Sequence, residues 1–305
     1  MRRSHICIAH HFDSKEELLS RRHSFVRTHR LILSVLQLAA LLYGAECALA
    51  QTSEYEQFRA HNAQMADVQP TWMGPLIQSD ARLSQTIRLS VSDAGAPGEQ
   101  IVSYGNNHGV SMIAERRFQI DFDPPSFFRN HSAAYPDGFG NASAQVKYRI
   151  SSANAEHGNF AVTAIDFHGF APRAAQNGML TAYDCPKIAA GIARGRFDVQ
   201  STLGGLLPAA KVAAQGQAIE WNVTAQLHPT AHTWFDVENN AAFNFGGPFD
   251  GKTQDFITPA AFYMVRRRQW GAVHPVVVFD TGMQIATSSF HLCNHNLISE
   301  VRILF

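Results

Sequence analysis

The sequence predicts an all-β fold: an antiparallel transmembrane β-barrel of about twelve strands, preceded by a short N-terminal helix. Three observations carry that expectation. Long segments alternate apolar and polar residues with a period of two, the pattern of strands whose two faces meet different surroundings. Many of these segments run to about ten residues, the length a tilted strand needs to cross a bilayer; strands of soluble sandwiches are nearer ~5–6 residues. Charge is scarce. Only 16% of the 305 residues are Asp, Glu, Lys or Arg while 46% are hydrophobic, where ordinary soluble domains carry about 25% charge.

Composition also excludes function classes. Twenty-five basic and 25 acidic residues leave no net charge, so there is no basic excess for a nucleic-acid partner. The apolar content is too high for a disordered chain. A mean hydropathy of −0.14 is too polar for a polytopic helical membrane protein. That last exclusion does not touch a barrel, whose strands average one apolar and one polar face.

Residues 1–50 read as an N-terminal extension and a cleaved secretory signal. Arg27, His29 and Arg30 precede the uncharged run LILSVLQLAALLYG (31–44), and Ala48-Leu49-Ala50 supplies an A-x-A cleavage site. The competing reading, a membrane anchor, needs ~20 apolar residues. Residues 1–25 do not resemble a signal n-region, so a start near Val26 fits better. Of the charged residues, 7 basic and 4 acidic fall in the first 50, leaving 18 basic and 21 acidic residues from Gln51 onward, a net charge of −3. Cys7 and Cys47 leave with the signal. Cys185 and Cys293 remain, a pair that an oxidising compartment permits to bridge without requiring it.

Residues 51–79 are expected to form a periplasmic helix and linker. QTSEYEQFRAHNAQMA (51–66) is the one credible helix, and Pro70 and Pro75 deny regular structure to the residues after it. The helix either plugs the barrel mouth or is a mobile tail. Residues 80–305 then form the barrel. Strand segments lie near 82–91, 100–105, 109–123, 143–152, 158–169, 184–194, 196–205, 216–227, 231–245, 256–267, 273–288 and 296–305. AIEWNVTAQL (218–227) alternates most cleanly. Short turns at 106–108, 153–157, 195, 228–231 and 268–272 alternate with longer loops, the topology of an outer-membrane barrel with both termini on the short-turn side. The segment 109–123 holds one conflict: Arg116 falls on the apolar phase, so either a bulge at 115–117 rephases the strand or the stretch contains a turn and the count of twelve is wrong. Trp234 and Trp270 lie at short turns and suit an interfacial aromatic girdle, with Trp221 at the opposite one.

The final strand, LISEVRILF, places Phe305, Ile303 and Val301 with Leu297 on one face and Glu300 with Arg302 on the other. It resembles the terminal assembly signal of bacterial outer-membrane barrels, which implies barrel-assembly machinery and outer-membrane lipid as partners.

Three stretches, GFGNASAQVKYRI (138–150), GIARGRFDVQSTLGGLLP (191–208) and FDTGMQIATS (279–288), resemble the family of outer-membrane proteins labelled "MetA-pathway of phenol degradation". The similarity runs from about Asp80 to Phe305. It implies a transporter-like barrel passing small, aromatic or hydrophobic solutes. Asn141 stands where that family commonly has Asp, so no role is carried over to it.

Parity assigns the lumen lining: Arg88, Lys147, Arg149, Asp166 with His168, Asp198, Glu220, Asp236, Glu238, Asp280, Glu300 and Arg302. Mixed charges inside a barrel either orient a passing solute or pair with one another and fill the interior. No catalytic residue is assigned. Ser288, Ser289 and His291 keep a phospholipase-like hydrolase as a distant alternative, without a Gly-x-Ser-x-Gly turn. His291-x-Cys293-x-His295 offers three ligands within five residues but no second element. No metal, cofactor or nucleic acid is therefore expected. The reading is a bacterial outer-membrane channel for small solutes, with a closed structural or adhesive barrel as the alternative.

Overall fold

Twelve wall strands close on themselves. The structure, a computed structural model, describes residues 53–96, 99–105, 108–131, 136–170, 177, 181–266 and 275–305. The signal assigned to 1–50 and Trp270 lie outside the described residues. Helix α1 (Ser53–Ala66) comes first, and the strands begin at β1 (Thr86–Ala96). β1 pairs with β15 (His295–Leu304) over ten residues, from Thr86 opposite Leu304 to Gly95 opposite His295, and so closes the barrel.

Three of the twelve wall strands are each built from two pieces. β2 (Glu99–Tyr104) and β3 (Gly109–Glu115) both pair antiparallel to β1, Tyr104 opposite Val91 and Gly109 opposite Arg88. They are successive halves of one strand. β4 (Phe118–Asp123) pairs with β3, and β5 (Phe127–Asn130) pairs with β2. Pro124 and Pro125 separate β4 from β5, because a proline cannot donate to the ladder. β6 (Gly138–Phe139) and β7 (Ala142–Ala153) complete the third divided strand against β5 and β4. The rest form an antiparallel meander: β8 (Phe160–Phe170), β9 (Tyr183–Arg194), β10 (Phe197–Pro208), β11 (Gln217–Leu227), β12 (Thr233–Phe245), β13 (Thr253–Arg266), β14 (Val276–Ala286) and β15. Helix α2 (Val212–Gln215) sits in the β10–β11 loop.

The expected number of strands is met with two corrections to their bounds. Arg116 and Arg117 form a turn between β3 and β4, with a register shift between Ile113 and Glu115 just before it. The stretch 109–123 therefore holds two strands, and the number is kept because β2 and β3 are one wall strand. The turn expected at 106–108 does not separate two wall strands, since β2 and β3 on either side of it both pair with β1; 106 and 107 lie outside the described residues. Within the loop expected at 124–142, Phe127–Asn130 and Gly138–Phe139 are strand.

The outer surface is apolar. Leu89, Met112, Phe122, Tyr148, Ile192, Phe197, Leu203, Trp221, Phe235, Tyr263 and Phe279 are all exposed around the circumference. No helix among the described residues is long and apolar enough to cross a membrane. Water would not tolerate such a continuous apolar belt; hydrocarbon would favour it.

The interior is filled by the chain's own N-terminal segment. Beyond α1, residues 67–85 enter from the short-turn end, reverse, and return to start β1. The Gln69 amide clasps the two arms: Leu83 N donates to Gln69 Oε1 (2.6 Å), and Gln69 Nε2 donates to Leu83 O (3.0 Å). The part of 51–79 expected as a linker is therefore largely inside the barrel. Two apolar seats hold it. Met73 and Leu76 pack on Trp234, Ala260, Phe262, Val278 and Ile298. Trp72 and Ala81 pack on Ala161, Ile165 and Ala189. Trp72 is 2% exposed and Leu76 is 0% exposed, and burial of each such side chain contributes about 1.5–3 kcal/mol.

A glycine makes room for Trp72. A Cβ on Gly191 would lie 2.8 Å from the Trp72 ring carbon Cη2 and 3.0 Å from Gln200 Cγ. Gly191→Val is expected to weaken docking of residues 67–85 by about 1–3 kcal/mol through overpacking. The measurement is limited proteolysis of that segment together with Trp72 fluorescence. Gly205→Val, where the nearest atom stands at 3.6 Å, should leave both unchanged.

Candidate functional site

The inward faces of β10, β12 and β15 carry polar side chains where the segment they hold presents backbone. Glu238 on β12 is 0% exposed. Its carboxylate accepts N–H groups from three successive residues of the inner segment: Leu76 (2.5 Å), Ile77 (3.0 Å) and Gln78 (3.1 Å). A carboxylate is suited to this, since it accepts several hydrogen bonds and donates none. From β15, Arg302 donates to Gly74 O (2.6 Å) and Pro75 O (2.9 Å) and pairs with Asp280 and Glu300, each at 2.6 Å. Arg88 pairs with Glu300 (2.8 Å) across the β1–β15 seam. Gln200 donates to Met73 O, and Thr163 donates to Ala81 O. The tip of the inserted segment is thus tied through backbone atoms, with donors and acceptors matched.

A second knot forms on the returning arm. Asp80 accepts from Trp72 Nε1 (3.1 Å) and pairs with Arg82 (2.9 Å), while Lys147 donates to Asp80 O (3.1 Å). Burial by itself would raise the Asp80 carboxyl, but the Arg82 guanidinium, the Lys147 ammonium and hydrogen bonds from Arg82 hold it below its ordinary value.

Beside the inserted segment remains a cavity of about 410 Å³. One side is formed by Ile77, Asp80 and Arg82 of the segment itself. The wall supplies Asp121 and Asp123, Lys147 and Lys187, and the apolar Phe167 and Leu206 with Tyr183. Lys187 pairs with Glu220 at 2.9 Å. Asp121 accepts from Gln119 and Gln145, and Asp123 accepts from Ser143. The lining therefore offers both charges and an aromatic patch within one enclosure.

Most of the expected lumen residues face inward. Lys147, Asp198, Asp236, Glu238, Asp280, Glu300 and Arg302 are buried on the inner face; Arg88 and Glu220 are half-buried there. Arg149 is buried at the short-turn end, where it donates to Arg116 O and lies 3.9 Å from Met65 Sδ; it braces α1 and a turn, away from the cavity. Asp166 and His168 are corrected: they lie on the outer parity of β8, and His168 pairs with Asp184 there. The inner parity of β8 is taken by Ala161, Thr163 and Ile165, because that is where Trp72 seats. Trp234 is corrected in the other direction. It is buried inside against Met73 and Leu76 and does not join an outer girdle. Val301 and Ile303 stay on the outer parity of β15, and Phe305 stacks on Phe58 of α1 at 6.4 Å.

Cys185 and Cys293 do not bridge; both are buried thiols. His291 is engaged within its loop, to Ser288 O and Asn294 Oδ1, each at 2.9 Å. Among the described residues, no group of three or more His, Cys, Asp or Glu side chains is arranged to hold a metal. The sequence does not single out Asp80, Arg82, Lys187 or Asp121. Lys187 and Asp121 sit on alternating segments and are open to the same parity argument. Asp80 and Arg82 carry no signal, since irregular backbone inside a barrel has no period.

No protein-family model matches the chain, and no curated protein sequence matches it. The phenol-degradation label thus rests on motif resemblance alone. Among solved structures the barrel is similar to the NanC porin, at 8% identity and a TM-score of 0.46, over 73% of this chain and 99% of that one. It is also similar to an outer membrane channel from Pseudomonas putida F1, at 12% identity and a TM-score of 0.46, over 77% of this chain and 100% of that one. At these identities neither likeness says what this barrel carries.

The depressed Asp80 carboxyl makes the docking of residues 67–85 pH-dependent. A lowered folded value means that its contribution is fully present above the ordinary carboxylate range and is lost as pH falls through the folded value. Protection of this segment against hydrogen exchange should hold through mildly acid pH and collapse only below that range. Asp80→Asn should lower protection at neutral pH and flatten that acid limb.

Proposed function

We propose that the protein is a bacterial outer-membrane channel for small solutes, closed by its own inserted segment in the state described. One observation carries this reading. The barrel is apolar outside and charged inside, and its plug is a single continuous loop anchored by hydrogen bonds and ion pairs that leave a cavity at its side. A barrel needed only as a membrane staple gains nothing from enclosing nine carboxylates and six basic groups, of which Asp80 and Arg82 ride on the removable loop and the rest are on the wall. Those charges are Asp80, Asp121, Asp123, Asp198, Glu220, Asp236, Glu238, Asp280 and Glu300 against Arg82, Arg88, Lys147, Arg149, Lys187 and Arg302.

In this reading residues 1–50 export the chain, barrel-assembly machinery inserts it, and the short turns face the periplasm. The solute passes beside or in place of residues 67–85. The cavity's aromatic patch among charged groups suits a small solute with an aromatic or apolar body and a polar edge, in keeping with the family resemblance. A closed structural barrel is the second reading, favoured by the depth to which Leu76 and Trp72 are buried.

Single-channel recording in planar bilayers separates the two. Refolded protein should show rare, brief openings. Glu238→Ala strips the acceptor from three buried N–H groups, at a cost of about 2–4 kcal/mol to the docked loop, and should raise the open fraction at least tenfold. No discrete conductance in either protein, at any voltage, would establish the closed structural barrel instead.

A further inference from the structure

One part of the lumen is not balanced. Register places Asp198 opposite Gln226, and Gln226 opposite Asp236, in a row across β10, β11 and β12. The next row is Gln200, Thr224 and Glu238. Asp198, Gln200, Gln226 and Asp236 are only 1–3% exposed. Each glutamine spends its N–H on a neighbouring carboxylate: Gln200 Nε2 donates to Asp198 Oδ1 (3.1 Å), and Gln226 Nε2 to Asp236 Oδ2 (3.4 Å). The other oxygens, Asp198 Oδ2, Gln200 Oε1, Gln226 Oε1 and Asp236 Oδ1, are buried without a hydrogen-bond partner. Four acceptor atoms thus face the interior without a hydrogen bond, and each of the two carboxylates has a single neutral donor. The buried Trp234 Nε1 and His228 Nδ1 nearby in the chain are themselves unpaired and reach none of the four.

The basic groups within electrostatic reach are already committed. Arg82 is bound by Asp80, and Arg302 by Asp280 and Glu300. Glu238 adds a further negative charge alongside and gives its own oxygens to the inserted loop. Buried carboxylates left uncompensated are strongly destabilising. A proton or a cation must resolve them.

We propose that these four oxygens bind a divalent cation of the calcium class, between strands β10–β12 and the rising arm of the inserted loop at Met73. The donor set is all oxygen, two carboxylates and two amide carbonyls, which selects a hard cation over zinc or copper. Its four ligands come from three strands, a spread that suits the flexible coordination of calcium better than the strict octahedron of magnesium, with water completing the shell. Gln200 also donates to Met73 O (3.0 Å), so the same residue ties the cation to the loop. Occupancy should steady the closed barrel. This inference does not depend on the channel reading, and its test needs no conductance.

Refolded protein in detergent, stripped with chelator, is titrated with calcium chloride while its unfolding temperature is followed. Terbium luminescence, excited through the indole of Trp234 two residues from Asp236, reports on the site directly. The unfolding temperature should rise with the logarithm of calcium concentration, and calcium should displace terbium. Asp198→Asn combined with Asp236→Asn should abolish both responses. Gln226→Leu, which keeps the charges and removes one ligand, should weaken calcium about tenfold and still refold to a barrel that resists detergent until boiled. No response in the unaltered protein would assign the cluster to protonation and overturn the site. An undiminished response in the double variant would place the cation elsewhere and overturn it equally. If the double variant does not refold, Gln226→Leu decides: unchanged calcium affinity sinks the proposal.

Discussion

Everything inside this barrel depends on the bond between the Glu238 carboxylate and the backbone N–H groups of Leu76, Ile77 and Gln78. Irregular backbone cannot sit within a membrane-depth enclosure unless its donors and acceptors find partners. Glu238 supplies acceptors at the tip of the loop, and Arg302 supplies donors to the carbonyls just before it. The charges on the lumen wall are therefore the complement of a chain that has no ladder of its own. Apolar contacts at Trp72 and Leu76 then add affinity at two points where backbone is not presented.

This division of labour explains where polarity and parity disagree. An empty pore would be lined by polar residues at every inward position. Here the inward face changes character from strand to strand: Ala161 and Ile165 on β8, Phe262 on β13 and Val278 on β14 are buried apolar side chains. Each touches Trp72, Met73 or Leu76, or packs in the cluster that does. Where the loop offers amides, the wall offers Glu238, Gln200 and Arg302.

The barrel is legible in the sequence because its outer constraint is periodic. Lipid outside forces an apolar residue at alternate positions, and the strand number, the closure of the sheet and the facing of Glu220, Asp236, Asp280, Glu300 and Arg302 all derive from that alternation. Features without a period escape it. Equating charge with lumen sends Asp166 and His168 inward, yet they lie near the long-loop end of β8, where an outward polar residue is cheap. Taking tryptophan as a marker of membrane interfaces sends Trp234 outward, yet it is a seat for Leu76. Residues 67–79 read as a linker, since two prolines and a glycine within a short stretch deny both helix and strand; nothing local says that such a stretch is buried. The divided strands β2–β3 and β4–β5 escape for a related reason, as a break in the ladder looks like a turn.

The tie between Arg302 and the carbonyls of Gly74 and Pro75 joins positions 228 and 227 residues apart in the chain. Arg88 and Glu300 join the first strand to the last over 212 residues. Part of the lock on the inserted loop is thus made by β15, the strand that lies in the closing seam with β1. The loop cannot reach its docked geometry before β15 is in place, and β15 meets, on closing, a loop that already occupies the space beside it. Maturation of this molecule joins two events, sealing the sheet and stoppering it, in one long-range step.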